Sequence, residues 1–146
     1  MKKVSLLLSL VIPTMMIFSC SQEKGNIDQV EKEVFAIHDE VMPKRGQIMD
    51  LRNALSQKIV TIDSLLKIKN EDSLQQQKDQ ALTLSNALQQ ADEGMMNWMH
   101  AYNGDSLKAL SGDEALKALN AEKTKISQVR DQMLESITKA EAFLKK

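Results

Sequence analysis

The segment Ala81-Leu82-Thr83-Leu84-Ser85-Asn86-Ala87-Leu88-Gln89-Gln90-Ala91-Asp92-Glu93-Gly94-Met95-Met96-Asn97-Trp98 decides the fold. Within it Ala81, Leu84, Leu88, Ala91, Met95 and Trp98 stand three or four residues apart. An α-helix brings such positions onto one face, whereas a half-buried strand would need apolar residues at every second position. Leu74 and Gln77 extend the stripe backwards and Tyr102 extends it forwards. A stripe this narrow suits a helix packed nearly parallel to its neighbour, so the chain must supply helices with matching seams.

Two more are present. Ile27, Val30, Val34, Ile37, Val41, Ile48, Leu51, Leu55, Ile62 and Leu65 keep the same spacing, with gaps at Lys44 and Lys58. Leu116, Leu119, Ile126, Met133, Ile137, Ala140 and Leu144 form the third seam, where Lys123 and Arg130 take seam positions and their long stems can carry the charge outward. Capping pairs mark the expected starts: Asn26 with Gln29, Ser73 with Gln76, and Ser111 with Glu114. Asn70-Glu71-Asp72 breaks the first pattern and Asn103-Gly104 the second. Pro43 falls inside the first helix with Gly46 close behind; a proline there loses a backbone hydrogen bond and clashes one turn back, which predicts a kink near Asp39–Pro43.

Short connections between long amphipathic helices imply antiparallel neighbours. The expected fold is therefore all-α: an elongated, coiled-coil-like antiparallel three-helix bundle over residues 26–146, running up-down-up. Phe35, Trp98, Tyr102 and Phe143 are the only aromatic residues of this body, so Leu, Ile, Val, Met and Ala must fill its core.

The N-terminus reads differently. Met1-Lys2-Lys3 is followed by an apolar stretch from Val4 to Phe18, interrupted only by short polar residues and Pro13. That is the charged start and short apolar region of an export signal. Its exit, Ile17-Phe18-Ser19-Cys20, resembles the bacterial lipobox, with Phe18 bulkier than the usual residue before the small one. Residues 1–19 are expected to be a lipoprotein signal peptide, Cys20 the lipid-bearing first residue, and residues 20–25 a tether. The alternatives are a plain cleavable signal or an uncleaved anchor. Cys20 is the sole cysteine, so no internal disulfide is available to explain it. Acyl chains of the palmitate type would each add about 0.8 kcal/mol of membrane affinity per buried methylene. Ser21 after the cysteine lacks the aspartate of inner-membrane retention, which points to the outer membrane, facing the periplasm. Losing Lys2 and Lys3 takes the formal charge from −1 to −3, and with no basic block the chain has no electrostatic footprint for nucleic acid.

One constellation could carry chemistry. If the first two helices form a hairpin turning near residue 70, facing residues have numbers that sum to about 140. His38 and Met42 then share one slab with Met95, Met96, Met99 and His100. Thioether and imidazole groups suit Cu(I) or haem iron, and His38, Met42, Met96, Met99 and His100 are the candidate ligands. The plainer role is a methionine-rich core layer with two rim histidines. His100 falls beside the seam, which counts against it. Phe35, Met42 and Met49 make a second apolar stripe, either a contact with the third helix or an exposed strip for a partner or second copy.

Catalysis is not expected. There is no His-Glu-x-x-His motif and no glycine-rich phosphate loop, and His38-Asp39-Glu40 are helix neighbours that leave the axis in different directions. No resident cofactor is called for by the plain reading.

The segments His38-Asp39-Glu40-Val41-Met42-Pro43-Lys44 and Met95-Met96-Asn97-Trp98-Met99, in this order behind a lipobox, resemble a group of small helical bacterial envelope lipoproteins, sometimes labelled viral A-type inclusion protein. The resemblance covers about Val30 to the C-terminal helix. It implies an envelope lipoprotein and brings no activity or substrate with it. The functional expectation is thus a membrane-anchored, non-enzymatic scaffold or protein-interaction module, with soft-metal (copper) or haem binding as the alternative.

Overall fold

The computed structural model describes residues 19–69 and 71–145, with side chains from residue 26 onward. The expected signal segment lies outside the described residues apart from the backbone of Ser19, and the Cys20 side chain lies outside them too. The protein is all-α, with no strand among the described residues. The helices are α1 (Ser19–Val41), α2 (Arg45–Leu66), α3 (Asp72–Ala101), α4 (Gly104–Lys108) and α5 (Gly112–Leu144). No helix among the described residues is long and apolar enough to cross a membrane.

The predicted first helix is divided by one turn of 3₁₀ helix, Met42–Lys44. Pro43 sits at the start of that turn, where its missing N–H is least costly, and the Arg45 N–H bonds back to the Met42 carbonyl. The apolar register passes through undisturbed: Val34, Val41, Ile48, Leu55 and Ile62 follow one another every seven residues and are all buried. Each such side chain withdrawn from water is worth about 1.5–3 kcal/mol.

Direction follows from the pairs that meet. Arg45 bonds Asp92, Arg52 bonds Gln89 and Lys78 pairs with Asp63, so α2 and α3 run antiparallel. Lys123 reaches Glu33 and Gln47 reaches Glu141, so α5 runs parallel to the α1–α2 arm. α1 packs chiefly on α5, α2 on α3, and α3 on α5. The core of α3 is the middle of the predicted seam, Ala81, Leu84, Leu88, Ala91, Met95 and Trp98, while Leu74 and Tyr102 at its ends are half-buried and Gln77 is exposed. In α5 the core is wider than predicted: Ala115, Ser136 and Phe143 are buried alongside Leu119, Ile126, Met133, Ile137 and Ala140, while Leu116 and Leu144 are half-buried. A helix lodged between two neighbours uses both flanks of its seam, and a two-position stripe underestimates that face.

The ends correct three local expectations. Asn26 does not cap a helix; it lies within α1, because Gln22, Glu23 and Lys24 are good helix formers that carry the helical backbone through the expected tether. α3 is capped by Glu71 rather than Ser73, its extended backbone giving the carbonyl that accepts from Leu74 and Gln75, while Asp72 faces the positive end of the helix. Asn103 ends α3 by opening α4, its Oδ1 accepting from the Ser106 N–H at 3.1 Å. A Cβ at Gly104 would lie 2.9 Å from Glu31 Oε1 and 3.1 Å from Tyr102 Oη, so a larger residue there would displace the ends of those two side chains. Ser111 takes the N-cap position of α5, its carbonyl accepting from the Ala115 N–H at 2.7 Å, but the hydroxyl donates to the Glu114 carboxylate at 2.8 Å and caps no backbone N–H.

Candidate functional site

The methionine and histidine slab forms where the end of α1 and the 3₁₀ turn face the last turns of α3. His38 and Met99 meet across that junction, with Nε2 and Sδ 3.4 Å apart. Seven residues further along one arm and seven back along the other, Arg45 and Asp92 meet on the same face: Nε to Oδ1 is 2.5 Å and Nη2 to Oδ2 is 3.1 Å. This two-pronged bond holds the Arg45 guanidinium above its ordinary pKa and clamps the register of the slab.

The imidazole is fixed from several sides. Nδ1 lies 2.9 Å from Asp39 Oδ1, so adjacent residues do meet here although their backbone directions diverge. A carboxylate only accepts, so the contact with Asp39 puts a hydrogen on Nδ1, and Nε2 is the ring atom that faces the Met99 sulfur. The side chain of His38 is 19% exposed, against 75% for Asp39. Trp98 lies beside it, ring centroids 5.8 Å apart, and its indole N–H donates to Glu122 Oε2 of α5 at 3.1 Å.

Beyond Trp98 the aromatic stack continues to Tyr102 at 5.1 Å, which takes the edge of Phe35 at 5.4 Å. Tyr102 donates to Glu31 at 3.5 Å, and Lys108 of α4 bonds the other oxygen of Glu31 at 3.0 Å. Burial, then the charge of Glu31, pushes the phenol up to about 12. Glu33 is held below the ordinary carboxylate range by its hydrogen bond from Lys123, with Gln29 adding a second.

Of the five candidate ligands, His38 and Met99 are brought into contact. Met42 is half-buried and packs against the core, Met96 is half-buried, and His100 is exposed, on the flank where the seam pattern put it. Phe35 and Met49 remain on the surface, with Phe35 resting on Tyr102 rather than buried against the third long helix. Among the described residues no three His, Cys, Asp or Glu side chains gather as a metal group. The partners that sequence reasoning did not assign are Asp39, Trp98 and the Arg45–Asp92 clamp. The hairpin register held the signal for the last, since 45 and 92 also fall near the sum that pairs His38 with Met99.

No family model, curated protein or solved structure matches the chain.

Proposed function

We propose that the chain is the precursor of a bacterial envelope lipoprotein of the small helical kind, held to a bilayer by acyl groups on Cys20 and acting without catalysis as a scaffold or protein-interaction module. In this reading the helices form an elongated up-down-up three-helix bundle whose first arm bends at Pro43. The outer membrane, on its periplasmic side, is the proposed location.

The observation that carries the reading is the placement of the lipobox cysteine. Ile17-Phe18-Ser19-Cys20 abuts the body directly, and the backbone around Cys20 belongs to α1, the same helix that supplies Val34 and Val41 to the core. A lipid at that position would hang the body from a continuous helix. Residues 26–66 at about 1.5 Å each give that arm a reach of roughly 60 Å. Phe35 would then sit on the near half of the arm and Met49 just past its middle, both on the surface and available to a partner or a second copy.

Fractionation of host cells tests it. The wild-type protein should pellet with membranes, incorporate labelled palmitate and shift in mass, and Cys20→Ala should block all three. A mature protein that is unacylated and freely soluble in its own host overturns the proposal. Protease added to intact cells then separates a periplasmic location, where the chain survives, from display on the cell surface.

A further inference from the structure

We infer that His38 and Met99 are ligands of a soft monovalent metal site, selective for Cu(I) or its analogue Ag(I), which Met42 completes as the third and the indole of Trp98 flanks. The inference is independent of membrane anchoring and rests on the geometry of the slab.

With Nδ1 donating to Asp39, the singly protonated tautomer of His38 leaves Nε2 as a donor atom that faces a thioether sulfur 3.4 Å away. In that tautomer both atoms present lone pairs, which a soft cation between them satisfies together; a second proton on the ring would compete with the cation through an N–H···S contact. The carboxylate on the far nitrogen is also the arrangement that fixes the tautomer and raises the basicity of a metal-bound histidine.

A metal about 2.0 Å from an imidazole nitrogen and about 2.3 Å from a sulfur spans the observed gap at an angle of roughly 104°, close to trigonal or tetrahedral ligation. Ligands on opposite faces of a haem would need a separation of about 4.3 Å with a porphyrin between them, so the contact favours a bare ion over haem. In the hairpin register Met99 falls level with the interval from His38 to Met42, which places a second thioether one turn from the imidazole. Trp98, whose ring centroid is 5.8 Å from that of His38, offers a π-face that favours a desolvated cation. Thioethers discriminate against Zn(II) and Mg(II), which prefer harder or charged donors.

Trp98 is the only tryptophan in the chain, so it reports on the site directly. The full chain carrying Cys20→Ser, to remove the competing thiol, is titrated with Ag(I) and, under anaerobic conditions, with Cu(I). Fluorescence should quench to a plateau at one equivalent, and Zn(II) should leave it unchanged. His38→Gln and Met99→Leu should each abolish the quench, while His100→Gln and Met49→Leu titrate like the parent. Because a ligand variant could lose its fold, the methionine methyl resonances of the parent give a second measurement: those of Met99 and Met42 should shift with the first equivalent. Quenching that survives in either ligand variant, or methyl shifts confined to Met96 and the surface methionines, overturns the assignment.

Discussion

Where α5 lies alongside, α2 and α3 bury their seam on two sides; past the end of α5 they have only each other. Leu55 and Leu88 are fully buried in the first region, whereas in the second the seam residue Ile62 is 3% exposed and the last seam position, Leu65, is 43% exposed. Lys58 lies over the ring of Phe143, at 4.8 Å, where α5 is about to end. The same heptad pattern runs through both regions. What differs is the number of neighbours, and that sets how much of each side chain leaves the water. The projecting end of the hairpin therefore keeps its geometry on a thinner margin than the body, and should open locally at a lower free energy.

Leu88→Ala gives the largest expected effect on this contrast, a loss of about 2–5 kcal/mol in denaturant unfolding, because a fully buried site between helices cannot collapse onto the void. Ile62→Ala should cost about 2 kcal/mol, at the low end of that range, since one side of its surroundings is water and can relax. An equal or larger loss at Ile62 would abolish the distinction between the two regions. Asp92→Ala releases the clamp beside the candidate site; both partners are partly solvated, so about 1 kcal/mol is expected by the same assay.

The body also carries a titration of its own at Tyr102. Below pH 10 the Tyr102 phenol is neutral whether the chain is folded or not; between 10 and about 12 the unfolded chain ionises first, so stability should fall across that window. Absorbance of the phenolate follows the group, and Tyr102→Phe should flatten the slope. The smallest change belongs to the outermost tip, where Ile68→Ser should stay within about 0.5 kcal/mol.

Helix content and the three seams were legible because a seven-residue spacing admits few other structures, as Val34 through Ile62 illustrate. The flanks were less so. Periodicity reports the direction of a buried face and not its width, and Phe143 rather than Leu144 reached the core of α5 because that helix serves more than one neighbour. Caps failed at Asn26 and Ser73 because the side-chain hydrogen bond of a cap competes with a helix that Gln22–Lys24 or Asp72 can extend. At the site, the hairpin register placed His38 level with the end of α3 from residue numbers alone. The choice of Met99 over Met96 depends on the angle at which each side chain leaves α3, and the Asp39 contact on a rotamer, neither of which a pattern encodes.

The turn at Met42–Lys44 leaves the arm in phase, as a splined coupling joins two shafts without slip. Deleting one residue there would rotate everything beyond it by about 100° relative to the portion before it. Met49, Ser56 and Asp63 would then occupy the positions that Ile48, Leu55 and Ile62 hold, and a carboxylate would be driven into the narrowest part of the hairpin. The joint can tolerate changes of residue far better than changes of length.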